Sequence, residues 1–87
     1  MKDFGPTQDL VKRSKEFALA ILKLSAGLPK TSEARVLGRQ IVRSGTSVAA
    51  NYRAVCRARS RGEFIAKLGT VVEEADETDG VLARIAY

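Results

Sequence analysis

Ser60-Arg61-Gly62-Glu63-Phe64-Ile65-Ala66-Lys67-Leu68-Gly69-Thr70-Val71-Val72-Glu73-Glu74-Ala75-Asp76-Glu77-Thr78-Asp79-Gly80-Val81-Leu82-Ala83-Arg84-Ile85-Ala86 reads as one uninterrupted helix, and its register decides the fold. Phe64, Leu68, Val71, Ala75, Thr78, Leu82 and Ile85 recur at alternating spacings of four and three, the heptad seam of a helix that buries one side against its neighbours. Ile65 and Val72 are expected to reinforce that seam. Ser60 and Glu63 have the form of a capping box, in which the hydroxyl accepts from the Glu63 amide and the carboxylate reaches back to the Ser60 amide. The helix is therefore predicted over about residues 61–86.

Upstream, Leu37, Ile41, Ser44, Val48, Tyr52 and Val55 are again three or four apart, with Thr31 or Ser32 as the cap, and predict a helix over about residues 33–58. Gly45 interrupts it among small residues, Ser44 to Ala50. An interior glycine costs about 1 kcal/mol relative to alanine, so a kink or a tight helix crossing is expected there. Before Pro29, Leu10, Phe17, Ile21, Leu24 and Leu28 form an apolar stripe behind a Thr7 cap, which predicts a helix over about residues 7–27. Strand alternation and internal repeats are absent. Short connections between helices of similar length place neighbours antiparallel, so the fold class is all-α, an up-and-down bundle forming one domain over residues 1–87.

With 87 residues there is no room for a second domain, and 45% hydrophobic with 29% charged residues is the balance of a folded, water-soluble chain. A chain this short has a marginal core unless packing is very regular or partner subunits add area, so self-association is expected. Histidine is absent and Cys56 is the single cysteine. The commonest general base, zinc ligand and activated nucleophile are thereby missing, and neither an enzyme, a cofactor, a metal nor a small-molecule substrate is expected. Cys56 sits at the edge of the apolar arc of the second helix and reads as a small hydrophobe. One cysteine, no leader and no apolar run long enough for a membrane span indicate a reducing, cytoplasmic setting.

Charge is unevenly placed on this chain of net +5. Residues 30 to 67 carry nine basic and two acidic residues, a local +7, whereas Glu73, Glu74, Asp76, Glu77 and Asp79 make a local −5. At roughly 100° per residue, Arg35, Arg39, Arg43, Arg53 and Arg57 fall within about 80° of one another, opposite the apolar arc of the second helix. One reading is a solvated face. The sharper one is that guanidiniums, chosen over lysine at all five positions, grip phosphate or carboxylate in two places at once. The partner is then RNA or DNA, or the acidic stretch of a neighbouring copy in a head-to-tail contact. No aromatic side chain is interleaved with the arginines, so base stacking is not expected from this edge. Gln40, Ser44, Ser47 and Asn51 lie on or beside the apolar arc and read as an interior polar network that fixes helix register, with Asn51 its most costly member.

The runs Arg39-Gln40-Ile41-Val42-Arg43-Ser44-Gly45-Thr46-Ser47-Val48-Ala49-Ala50-Asn51-Tyr52-Arg53-Ala54, Arg59 to Gly69 and Glu73 to Thr78 closely resemble the bacterial four helix bundle protein family, first noticed as reading frames within intervening sequences of 23S ribosomal RNA genes. The resemblance implies a left-handed antiparallel bundle, assembly into a homo-oligomer such as a ring of five, and no enzymatic activity. Members look like nucleic-acid-associated or adaptor proteins, and a similar bundle is the accessory protein of diversity-generating retroelements, a reverse-transcriptase partner. The family's fourth helix would follow Ala86-Tyr87, so the last core face is expected from another subunit or is lost to truncation. The family has no agreed functional residues to carry over. The expectation is a non-catalytic, self-assembling protein that contacts nucleic-acid phosphate, with a purely structural scaffold or protein-interaction module as the alternative.

Overall fold

The computed structural model describes residues 8–86, and within them three helices and no strand: α1 (Gln8–Ala26), α2 (Ser32–Cys56) and α3 (Arg61–Ala86). Thr31 caps α2, accepting the Ala34 amide at 3.1 Å from an extended backbone. Ser60 caps α3 in the same way, accepting the Glu63 amide at 3.0 Å. The Thr7 cap lies outside the described residues. α2 ends at Cys56, two residues sooner than its pattern suggests, because the Arg57 and Ala58 amides turn back to the carbonyls of Ala54 and Val55 and bury Ala58.

α2 is the middle rod: α1 and α3 both pack on it, while no Cα of α1 comes within 8 Å of one in α3. The order is antiparallel, since Gly45 meets Ile21 and Gly38 meets Leu28 on one side, and Ser44 meets Thr78 on the other. The molecule measures 46 × 20 × 16 Å. Gly45 makes the tight crossing. A Cβ there would lie 2.9 Å from two carbons of Ile21, closer than side chains tolerate, so the two backbones approach only because the glycine is bare.

Ile21, Ile41 and Val81 form the closed part of the core, flanked by Leu37, Val42, Leu82 and Ile85. Ile41 and Val55 are fully buried, each stabilising by roughly 1.5–3 kcal/mol. Val81 belongs to this cluster although the heptad reading passed over it. Two expectations are corrected. Ile65 and Val72 do not reinforce the α3 seam but are exposed, at 58% and 53%. Along the α1 stripe only Ile21 is buried, while Leu10, Phe17 and Leu24 stay exposed. For Leu10 and Phe17 the cause is that three rods stacked edge to edge leave an open side between α1 and α3. There Leu10 and Phe17 line an apolar groove with Val48, Tyr52, Val71 and Ala75.

Candidate nucleic-acid interface

Periodicity puts the arginines of α2 on the side away from its core arc, and α1 and α3 flank that side without covering it. Arg35, Arg39, Arg43, Arg53 and Arg57 are all exposed. The five differ in what they touch. Arg43 reaches α3: its guanidinium lies 3.4 Å from Glu74 and donates a short hydrogen bond to Glu77. The Glu77 hydrogen bond foremost, then Glu74, holds the Arg43 proton more tightly than an ordinary arginine does. Arg43 is therefore an interhelical clasp, a correction to its place among the free contact residues. Among the described residues the other four make no ion pair, and from Arg35 to Arg57 they span about 33 Å at 1.5 Å per residue.

Two clefts open beside this edge, one at each end. At the α1–α2 turn, Leu28, Pro29 and Val42 form the apolar floor of an open cleft of about 730 Å³, rimmed by Lys30, Arg35 and Arg39, with Arg43 at its far end. Gly38 brings the end of α1 down onto α2, since a Cβ there would meet Ser25 Oγ at 3.2 Å. At the α2–α3 turn, Arg57 joins Arg59 and Lys67, with Glu63, around a more polar cleft of about 350 Å³. Lys30, Arg59 and Lys67 are thus additions to the arginine edge. They belong to the basic tract seen in the sequence, but turn residues have no fixed angle on a helical wheel, so only folding places them.

The four interior polar residues do not form one network. Ser44 is fully buried and pairs with the Thr78 hydroxyl at 2.9 Å, and Thr78 also donates to the Glu74 carbonyl at 2.8 Å. Ser47 and Asn51 instead bond the carbonyls one turn back, Arg43 at 2.6 Å and Ser47 at 2.8 Å. Among the described residues the buried Gln40 carbonyl oxygen finds no hydrogen-bond partner, nor does the buried Tyr52 hydroxyl. Burial, and secondarily the charge of Cys56, pushes the Tyr52 phenol above its ordinary 10.0. The buried hydrogen bond between helices is therefore that of Ser44 with Thr78, whereas the half-buried Asn51 bonds within α2.

No group of three or more His, Cys, Asp or Glu side chains among the described residues is arranged to hold a metal ion. No described helix is long and apolar enough to cross a membrane. No curated protein and no solved structure matches the chain. The family model for the 23S rRNA-intervening sequence protein matches residues 7–86, which takes in all three helices and both basic clefts. On that match over nearly the whole length, the chain belongs to the 23S rRNA-intervening sequence protein family.

Proposed function

We propose that this protein is a non-catalytic, self-assembling bundle that contacts nucleic-acid phosphates through the basic edge of α2. One observation carries the reading: Arg35, Arg39 and Arg53 on α2, with Arg57 just past its end, are exposed and make no ion pair among the described residues. The rod holds their spacing rigid, and guanidinium forks match phosphate oxygens bidentately. Arg43, neutralised by Glu74 and Glu77, contributes little. Binding of this kind is governed by counterion release and falls steeply with salt. The test is affinity for RNA and DNA as a function of salt, wild type against the Arg39→Glu, Arg53→Glu pair. Losing two phosphate contacts lowers the slope of log affinity against log salt by about 2. Unchanged affinity and slope in the charge-reversed pair would refute the reading.

The second reading, an oligomeric scaffold or protein-interaction module without nucleic acid, is favoured by the apolar groove of Leu10, Phe17, Tyr52 and Val71. Exposed apolar faces rimmed by polar residues are where subunits meet. Sedimentation of wild type against Phe17→Glu discriminates: a mass that is a multiple of the monomer and collapses on substitution supports assembly through the groove, and a monomeric wild type rejects it.

A further inference from the structure

We infer that the cleft at the α1–α2 turn holds one unpaired nucleotide of a single strand, its phosphate on Lys30, Arg35 and Arg39 and its base on Leu28, Pro29 and Val42. This rests on the phosphate-gripping reading and adds which form of nucleic acid is taken. The cleft has two unlike sides within about 730 Å³ open to solvent: an apolar floor, and a basic rim whose Lys30, Arg35 and Arg39 make no ion pair among the described residues while Arg43, at the far end, is paired to Glu74 and Glu77. Its α2 wall, Ala34 to Arg43, is about 14 Å long. That length accommodates a flat ring with its phosphate, and an acidic helix, about 10–12 Å across, is the competing occupant.

Charge orients the occupant. At the Arg43 end Glu74 and Glu77 present two carboxylates to one guanidinium, which repels phosphate, so the anion goes to the Lys30 end. No aromatic side chain lines the cleft, so the base is held by apolar contact with Leu28, Pro29 and Val42 while the basic rim takes the phosphate. A duplex keeps its bases stacked inside and cannot lay one there. An unpaired residue can.

The experiment is a chemical-shift titration of the full chain with adenosine monophosphate, adenosine, inorganic phosphate, a single-stranded oligonucleotide and the duplex of the same sequence, with a peptide of residues 70–82 as the acidic competitor. The expected result is shifts confined to residues 28–42, with the monophosphate at least tenfold tighter than adenosine or phosphate and the single strand at least tenfold tighter than the duplex at those residues. Arg35→Ala with Arg39→Ala, and separately Ala34→Glu, each weaken the monophosphate at least tenfold while helical circular dichroism is retained; Lys12→Ala with Lys15→Ala, exposed on α1 away from the cleft, leaves it unchanged. Equal affinity for phosphate and monophosphate, a monophosphate site that no strand reaches, or tighter binding of the acidic peptide overturns the proposal. If the cleft fails in this way while duplex binding still depends on Arg39 and Arg53, the phosphate-edge reading stands alone; if both are lost, both readings are wrong.

Discussion

The hydroxyls of Ser44 and Thr78, 34 positions apart in the chain, lie 2.9 Å from each other between α2 and α3, and both residues are almost completely buried. Thr78 also reaches the Glu74 carbonyl. A hydroxyl has one proton to give, so when Thr78 donates to Glu74, Ser44 donates to Thr78, and both groups are satisfied. Thr78→Val leaves the Ser44 hydroxyl buried without that partner and is expected to cost about 1–3 kcal/mol. The double variant Ser44→Ala, Thr78→Val is expected to cost less than the sum of its singles, measured by urea unfolding as a double-mutant cycle. Additive effects would show that the pair does not act as a unit.

Gly45→Ala drives a Cβ to within 2.9 Å of Ile21. Overpacking of this sort costs about 1–3 kcal/mol and outweighs the roughly 1 kcal/mol gained in helix propensity. A net loss of stability is expected, and the loss is smaller in an Ile21→Ala background, where both γ-carbons that the new Cβ would strike are gone. Gly69, whose added Cβ meets nothing within 4 Å, is the control. Gly69→Ala is expected to raise stability by about 1 kcal/mol. Identical shifts in the two denaturation midpoints would remove the tight crossing as the explanation.

Tyr52→Phe removes a buried hydroxyl that has no hydrogen bond and is expected to stabilise, by up to about 1 kcal/mol. The pH dependence has a definite sign. Because burial raises the folded phenol above the 10.0 of an ordinary tyrosine, this group's contribution is intact below that value. It is lost as pH climbs through 10 and beyond, where the unfolded chain ionises first. Melting temperature measured from pH 8 to 11 should therefore fall less steeply in Tyr52→Phe than in wild type.

Arg43 and Arg39 stand one turn apart on the same edge yet should respond differently to truncation. Arg39→Ala is expected to weaken nucleic-acid affinity and leave the thermal midpoint alone. Arg43→Ala removes the clasp to Glu74 and Glu77 and exposes two uncompensated carboxylates beside the edge. Binding should weaken through that added repulsion, with a larger effect at low salt than at high salt. A thermal midpoint as unmoved by Arg43→Ala as by Arg39→Ala would argue that Arg43 is an ordinary phosphate contact rather than a clasp.

Helix existence and order were legible from periodicity, because apolar side chains three and four apart can share a buried side only in a helix. The caps at Thr31 and Ser60 were equally legible, since a hydroxyl three residues before the amide it accepts is a local arrangement. What failed along α1 and α3 has a different origin. Leu10, Phe17, Ile65 and Val72 match the pattern of buried residues, but burial needs a neighbour as well as a pattern, and at those positions no helix among the described residues covers them. Asn51 and Ser44 carry similar signals in the sequence. Only packing against α3 decided that Ser44 would find Thr78, while Asn51 turned back to its own helix.

By itself the sequence determined three helices, their antiparallel order and a guanidinium row on the outer side of α2, because each follows from spacing along one rod. The tertiary structure alone decided that Arg43 would be spent on Glu74 and Glu77. It also set Leu28, Pro29 and Lys30 beside Arg35 and Arg39 and left α1 and α3 apart with an apolar groove between them. Those outcomes depend on how closely two backbones approach. That distance is set at Gly38 and Gly45 by atoms from another helix, which no spacing along a single rod encodes.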